Sequence, residues 1–338
     1  MRSFRHEAVN ASFSGCAHDT ATDMKAIVQT GYGSPDAFEL REIDRPNLTD
    51  DTILVRVRAA SINALDAHLL RQASHVFSTL FGKRPSPIRG VDLAGVVEAC
   101  GQSISGFKPG DEVFGVGRGT FADFAVARAI HLAPKPRNAT FEQAAAMPVA
   151  GLTALQGLRD KARVQPGQKV LIYGAGGGTG TFAVQIARAL GAHVTAVTRT
   201  EHMDFMRAIG AGEVVDYTRD DFTRRGERYD AVFDIGADRS SAECERTLTA
   251  RGKLVRVGAP KSAAALPARL IESLLQPSRR LILMARVNHD DLVALSDLVE
   301  AGQLTSVIDR TFPLDAVPEA FRYFGTGRVR GKVVITIS

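Results

Sequence analysis

Seven residues of the chain, GAGGGTG at 174–180, contain five glycines. The preceding run KVLIY predicts a buried strand, and the following stretch TFAVQIARALGA predicts a helix. A strand, a glycine turn and a helix in this order let the backbone approach a pyrophosphate, to which the helix N-terminus offers free N–H groups. A tight turn alone would explain one or two of these glycines. The segment therefore predicts a dinucleotide site.

The end of the next predicted strand, HVTAVTR, distinguishes between dinucleotides. An acidic residue there would hold the ribose of NAD, whereas a basic residue would accept the 2′-phosphate of NADP. The chain has Thr198 and Arg199 at this place, which favours NADPH. Two alternatives stay open: a small shift of register would bring Glu201 to the ribose hydroxyls, and Arg199 could be a solvated surface cation.

Groups that could polarise the substrate of hydride transfer are scarce in this sequence. None of the eight histidines pairs with a cysteine or another histidine at metal-ligand spacing, and none of the five tyrosines precedes a lysine by four residues. Oxidation of an unactivated alcohol needs a group that stabilises an alkoxide. The pattern instead favours acceptors that take hydride readily, such as quinones and alkenes conjugated to a carbonyl.

Composition and charge fit a two-domain globular enzyme. The chain has 338 residues, of which 45% are hydrophobic and 23% charged. No apolar run is long enough for a membrane helix. The net charge of +5 is spread along the chain, so nucleic-acid binding is not expected. Three distant cysteines without a CxxC pair indicate a reducing, cytoplasmic location.

The rhythm of the sequence predicts the domain organisation. Short β-like runs separated by Gly and Pro indicate a mainly β domain at 24–147, which residues 286–338 complete with the strand GKVVITIS. Within 148–285, apolar strands alternate with helical stretches, SSAECERTLTA among them, which predicts a doubly wound parallel sheet. Residues 1–23 are polar and aperiodic, and are interpreted as a disordered extension or as the result of an upstream start codon.

From Met24 to Ser338 the chain resembles the medium-chain dehydrogenase/reductase superfamily, in its zinc-free, zeta-crystallin-like quinone oxidoreductase branch. The resemblance depends on the shared order of several motifs: LVRVRAASINALDAHLLR, IRGVDLAGVVEACG, FKPGDEVFG, GLTALQGL, YGAGGGTGTFAVQIARALGA and RGKVVI. It implies an α/β fold with a Rossmann cofactor domain and a mainly β, GroES-like catalytic domain. Zinc-dependent members have a Cys within the segment SINALD and Gly-His-Glu at Gly90-Val91-Asp92. Asn63 replaces the Cys here, which implies that the chain holds no metal.

The resemblance also implies a set of site residues. Asn63 would lie near the nicotinamide and substrate, and Asp66 would shape the same loop, with local turn capping as the alternative. His68 stands where some quinone reductases have a tyrosine. Cofactor contacts are implied at Thr153, Gly177, Gly178, Thr179, Gly180, Thr198, Arg199, Tyr217, Gly258, Arg330 and Lys332. The last two could equally be surface charges.

Together these features predict an NADPH-dependent, zinc-independent oxidoreductase that transfers hydride to a small-molecule quinone or similar conjugated carbonyl acceptor. An alternative within enzymes is a 2-alkenal or enoyl double-bond reductase. A different class, an NADPH-binding RNA-binding or structural protein with weak turnover, also stays open. The family implies a homodimer.

Overall fold

The computed structural model describes residues 23–71, 87–236, 239–257 and 279–338. The described chain folds around two large β-sheets, one mixed and one parallel, with a separate antiparallel pair at the start. This pair consists of β1 (Asp23–Gln29) and β2 (Phe38–Asp44). Gly258, one of the predicted cofactor contacts, lies outside the described residues.

The mixed sheet has seven strands, and the last strand of the chain lies beside β3, next to one edge. Its members are β3 (Thr52–Ser61), β4 (Asp92–Cys100), β5 (Glu112–Val116), β6 (Phe124–Arg128), β7 (Leu132–Pro134), β14 (Ile308–Pro313) and β15 (Lys332–Thr336). β3 pairs antiparallel with β4, β6 and β15, and β15 pairs parallel with β14. The C-terminal strand β15 therefore lies in the same sheet as the strands of residues 52–134.

The sequence of β3 explains its place in this core. TILVRVRAAS alternates buried aliphatic residues with exposed Arg56 and Arg58, which is the period of a half-buried strand. Glycine turns connect such strands: Gly110, in FKPGDEVFG, has a φ of +91° between β4 and β5. Helix α1 (Ala64–Arg71) follows β3 directly.

The second sheet has six parallel strands. They are β8 (Lys169–Tyr173), β9 (His193–Thr198), β10 (Glu213–Asp216), β11 (Tyr229–Asp234), β12 (Leu248–Val257) and β13 (Arg280–Leu283). Their spatial order is β10-β9-β8-β11-β12-β13. The direction of winding reverses between β8 and β11, and ligands of doubly wound sheets bind at such a reversal, beyond the carboxyl ends of the strands.

Helices connect and flank the two sheets. They are α2 (Phe141–Ala145), α3 (Pro148–Leu155), which continues as a π-helical segment (Gln156–Ala162), α4 (Gly178–Ala189), α5 (Met203–Ala208), α6 (Ser241–Glu245), α7 (His289–Glu300) and α8 (Val317–Gly325). α3 and α7 pack closely at Gly151, where a Cβ would lie only 2.9 Å from the Leu295 side chain.

One predicted helix is shorter than its sequence pattern indicated. SSAECERTLTA begins as α6, where Ser240 and Glu243 form a capping box, but the helix ends at Glu245. Leu248 already pairs with Tyr229 as the first residue of β12. The helical prediction for 246–250 was wrong because Thr247 and Leu248 are buried by the sheet, where tertiary packing overrides local pattern.

Candidate functional site

The glycine-rich turn lies at the carboxyl end of β8, where the winding of the second sheet reverses. Gly174 has a φ of +87°, in the left-handed region that favours glycine. A Cβ atom on Gly180 would lie 2.3 Å from the Gly174 carbonyl oxygen, so close packing excludes a side chain there. At Gly177 the nearest atom to a Cβ would be the same oxygen, at 3.6 Å. Packing therefore requires glycine at 174 and 180, while Gly177 leaves space beside the turn.

Helix α4 begins at this turn and supplies free backbone donors. The Thr181 N–H donates to the Gly177 carbonyl oxygen over 3.0 Å. The N–H groups of Gly178, Thr179 and Gly180 precede it and have no acceptor within the helix. They lie at the positive end of a twelve-residue helix. These donors and the space beside Gly177 fit the pyrophosphate of a dinucleotide.

Polar side chains surround the end of β9 beside the turn. Arg199 Nε donates to Tyr217 Oη over 2.6 Å, and Tyr217 is 38% exposed. Thr198 is buried, and its Oγ1 would lie 2.8 Å from a Cβ on Gly176. The structure thus brings Thr198, Arg199 and Tyr217 together at one end of the glycine-rich turn.

The loop before β15 adds a second cation to this end of the turn. Burial is the main reason that the pKa of His202 lies below its ordinary value, and the Arg330 and Arg199 guanidiniums lower it further. His202 adjoins the turn, because its Nδ1 would lie 2.5 Å from a Cβ on Gly176, and Arg330 directly precedes Gly331, which is bonded to Gly176. The Arg330 guanidinium is also 5.1 Å from the centre of the Phe205 ring. Glu201 is exposed in the same turn and raises the pKa of His202, so one acidic group is present as well.

A buried polar cluster lies where β3, β4 and β15 meet. We call it the Asn63 cluster, and its members are Ser61, Asn63, Asp92 and Lys332. Asn63 Nδ2 donates to Asp92 Oδ2 over 2.8 Å, and Lys332 Nζ donates to Asn63 Oδ1 over 2.7 Å. Ser61 Oγ donates to Asp92 Oδ2 over 2.8 Å, and Lys332 Nζ is 3.4 Å from the same carboxylate oxygen.

Helix α3 also contacts this cluster and places one further predicted residue. The Val149 N–H, in the first turn of α3, donates to Asp92 Oδ1 over 3.0 Å. One turn later, Thr153 is 7% exposed and its Oγ1 donates to the Val149 carbonyl oxygen over 2.6 Å. The Thr153 hydroxyl proton is therefore used within the helix, and only the oxygen lone pairs stay open to a ligand.

Asp66 lies beside the cluster but caps the start of α1. Its Oδ2 accepts the Asn63 backbone N–H over 2.9 Å, which is the local capping alternative. Burial raises the pKa of Asp66 to about 7, although the Asn63 N–H bond and the charges of Lys332 and Arg89 lower it. His68, on the same helix, is exposed, and the described residues give it no contact with the cluster. The structure therefore brings Asp66 to Asn63 through the backbone and leaves His68 apart.

The two ends of the site are joined by the residues before β15. Gly331 N–H donates to the Gly176 carbonyl oxygen over 2.9 Å, and Gly331 forms a parallel bridge with Gly177. The aliphatic part of the Lys332 side chain packs against Gly178, where a Cβ would lie 2.8 Å from Lys332 Cδ. Arg330 and Lys332, which the sequence left as possible surface charges, differ: Arg330 is exposed, whereas Lys332 is only 3% exposed.

Sequence reasoning missed Asp92 and Ser61 as members of the site. From the sequence, Asp92 was considered only as a residue that replaces a metal ligand. A signal was present, because Asp92 opens the strand DLAGVVEAC, most of which is apolar and buried, and a charge at such a position needs a partner. The identity of that partner, 240 residues away, has no local signal.

The described part of the chain contains neither a cluster of metal ligands nor a helix that could span a membrane. No three His, Cys, Asp or Glu side chains of residues 23–71, 87–236, 239–257 and 279–338 lie close enough to hold a metal ion. None of the helices described is both long and apolar enough to cross a membrane.

Comparisons with known proteins agree with this architecture. Residues 49–137 match the family model described as alcohol dehydrogenase GroES-like domain, and residues 209–335 match the one described as zinc-binding dehydrogenase. A 2-methylene-furan-3-one reductase of Solanum lycopersicum is 31% identical over 97% of this chain and 84% of its own length. An NADPH-dependent alkenal/one oxidoreductase of Arabidopsis thaliana is 30% identical over 93% and 79% of the two chains.

A solved structure shows the same fold over nearly the whole chain. A quinone oxidoreductase from Coxiella burnetii superposes with a TM-score of 0.84 at 30% identity, covering 94% of this chain and 100% of that chain. The chain thus combines two observations. It has a parallel sheet with its reversal at the glycine turn and a mixed sheet that includes the C-terminal strand, and its sequence is similar to those of known reductases. The chain therefore belongs to the medium-chain dehydrogenase/reductase superfamily, as an oxidoreductase of its quinone oxidoreductase branch that uses a nicotinamide cofactor.

Proposed function

We propose that the protein is an NADPH-dependent, zinc-independent reductase of quinones or of alkenes conjugated to a carbonyl. The observation that carries this proposal is the position of the Asn63 cluster. Lys332 extends from the pyrophosphate turn to Asn63, so a dinucleotide bound on the turn would have its other end near this cluster. The names of the relatives from tomato, Arabidopsis and Coxiella support the substrate class.

The choice of NADPH rests on the cations at the end of β9. Arg199 is held by Tyr217, and Arg330 approaches from the mixed sheet. An Arg–phosphate contact contributes on the order of 1.5–3 kcal/mol. Glu201, exposed in the same turn, is the residue that would instead bind the ribose hydroxyls of NADH.

Zinc independence rests on the residues at the positions where zinc-dependent members of the superfamily have their ligands. Asn63 and Val91 replace a Cys and a His, and neither an amide nitrogen nor an alkyl group ligates zinc. Asp92 keeps a carboxylate, but that carboxylate accepts hydrogen bonds from Ser61, Asn63 and Val149. The Asn63 cluster thus pairs the Asp92 carboxylate with the Lys332 ammonium.

The mechanism assigns separate tasks to the two ends of the site. When bound, the dihydronicotinamide supplies the hydride. The turn at 177–180 would hold the pyrophosphate and so orient the cofactor along the line from the turn to the Asn63 cluster. Asn63 Nδ2 has a second hydrogen beyond the one given to Asp92, and it donates to the oxygen on which negative charge develops. Water or a polar side chain then supplies the proton.

The test is oxidation of NADPH and NADH by the purified protein against 1,4-benzoquinone, 9,10-phenanthrenequinone and a 2-alkenal, with a chelator present. We expect turnover with NADPH that survives the chelator. Asn63→Ala should lower kcat by roughly 100-fold, the usual effect of losing one oxyanion donor, while the NADPH Kd changes less than about threefold. Unchanged kcat in this variant would remove Asn63 from the mechanism. NADPH binding without reduction of any acceptor would favour the non-catalytic alternative.

The domain boundaries and the homodimer also stay proposals. The boundaries at 147–148 and 285–286 fall between elements, just before α3 and between β13 and α7. Among the described residues β13 is an edge strand of the parallel sheet, and an edge of this kind can pair with the same edge of a second copy.

A further inference from the structure

The carboxamide of Asn63 has a charged group at each end. Its oxygen accepts from the Lys332 ammonium over 2.7 Å, and its nitrogen donates to Asp92 over 2.8 Å. Rotation of the amide by 180° would place N–H against the ammonium and C=O against the carboxylate. Both contacts would then be repulsive in a site where Lys332 and Asp92 are nearly inaccessible to water.

We infer that Lys332 and Asp92 are positioning residues that fix the orientation of the Asn63 carboxamide, so that Asn63 presents an N–H donor to the hydride acceptor. This inference rests on the proposed function and makes it more specific. A fixed donor favours substrates whose carbonyl or quinone oxygen gains negative charge. It discriminates against alkenes without a conjugated oxygen, which have no acceptor for this hydrogen bond.

Asp92 is suited to this task because its other contacts hold it still. Ser61 Oγ and the Val149 N–H occupy its two oxygens, from β3 and α3 respectively. The Asp92 carboxylate is therefore held by β3 and α3 independently of Lys332 and Asn63. Burial lowers the pKa of Lys332, while the charges of Asp92 and Asp66 raise it.

Backbone hydrogen bonds to two separate segments, at Val307 and at Gly176, fix the position of Lys332. Its own N–H donates to the Val307 carbonyl oxygen over 2.8 Å, and Gly331 is bonded to Gly176. The Lys332 stem contacts the position that a side chain on Gly178 would occupy. A single side chain thus connects the pyrophosphate turn with Asn63, and displacement of its stem would release one end of the carboxamide.

The experiment compares Lys332→Met with the double variant Lys332→Met/Asp92→Asn. Lys332→Met leaves a buried carboxylate without its cation and should unfold more readily. The double variant removes both charges, so its unfolding midpoint should recover in part. An amide at position 92 has a single acceptor oxygen, for which the Val149 N–H and Asn63 Nδ2 compete, so it no longer fixes the Asn63 carboxamide. If the pair fixes the amide, kcat should stay low in both variants, on the order of 10- to 100-fold below wild type, with the NADPH Kd nearly unchanged.

A second readout works without turnover. The two Nδ2 protons of Asn63, identified by their loss in Asn63→Asp, should give separated signals in a ¹⁵N–¹H spectrum of the full chain. In the double variant the separation of these two signals should fall to that of a solvated asparagine side chain, because the two protons no longer differ in their hydrogen bonds. Lys135→Met is the matched control: Lys135 is also a nearly buried lysine, bonded to Pro136 and Ala139 carbonyls, and its loss should leave kcat and the Asn63 signals unchanged.

The outcomes separate the inference from the proposed function. If the double variant is folded and its kcat lies within twofold of wild type, or if the Asn63 signals do not move, the inference is wrong and the pair only stabilises the fold. If the wild-type protein reduces no acceptor, the proposed function fails. The Asn63 signals then still decide whether Lys332 and Asp92 orient the carboxamide.

Discussion

The two ends of the site are built in opposite ways. Most residues of the phosphate end come from one segment of the chain, 173–202. Its charged side chains, Arg199 and Arg330, are at least partly open to water. The Asn63 cluster combines residues near 61, 92 and 332, and its charges are buried. Solvent can screen or replace a contact at the first end but not at the second. The phosphate end should therefore control affinity with little effect on folding, whereas the Asn63 cluster should control both folding and turnover.

Asp92→Ala should give the largest effect on stability. It leaves the Lys332 ammonium buried without its anion and removes the acceptor of Ser61, so the free energy of unfolding should fall by about 3–5 kcal/mol. Urea unfolding at pH 7 measures this loss. The matched control is Glu227→Ala, which breaks the exposed pair with Lys169 and should hardly move the midpoint. A similar small change in both variants would show that burial does not distinguish the two regions.

Arg199→Met should give an intermediate effect, confined to one cofactor. The NADPH Kd should rise by roughly 10- to 100-fold, since the lost phosphate contact is worth about 1.5–3 kcal/mol, and the NADH Kd should stay the same. Fluorescence titration of both cofactors measures the ratio. Arg207→Met is the control, because Arg207 is an exposed arginine that pairs with Asp204 on α5. Equal losses for the two cofactors would show that Arg199 contacts a part that NADPH and NADH share, and not the 2′-phosphate.

Gly177→Ala should give the smallest effect. The new methyl group meets no atom closer than 3.6 Å and φ is −84°, so stability should not change measurably. The methyl group enters the space that fits the pyrophosphate, and the NADPH Kd should rise by roughly 3- to 10-fold, equivalent to about 1 kcal/mol. Gly180→Ala sharpens the contrast, because its Cβ would lie 2.3 Å from a backbone oxygen and should destabilise the fold itself. A loss of stability in Gly177→Ala would mean that the turn is closed rather than open.

Local pattern was sufficient for the phosphate end. The strand KVLIY, the five glycines and the following helix occur in the predicted order, and Thr198 and Arg199 end β9 beside them. Each of these features depends on neighbours within about 30 residues, which periodicity and turn chemistry report well. The helix predicted through residue 250 failed for the converse reason, because pairing of Leu248 with Tyr229 decided its structure.

The Asn63 cluster shows where local pattern ends. The sequence selected Asn63 by resemblance and left Lys332 as a cofactor contact or a surface charge. The pairing of Ser61 with Asp92 across β3 and β4, and of Ser61 with Val334 across β3 and β15, brings these residues together. Register between strands that are 30 and 240 or more residues apart depends on the whole sheet, and no short segment encodes it.

The sequence by itself determined the two kinds of sheet, the glycine-rich turn and the cation that follows β9, because periodicity, backbone freedom and charge are properties of neighbouring residues. Only the tertiary structure decided that Lys332 lies buried between the glycine-rich turn and Asn63, and that Asp92 is its partner. The physical reason is that a lysine enters a protein interior only where an anion and hydrogen-bond acceptors are already fixed. Those partners come from β3, β4 and α3, which meet only once the chain has folded.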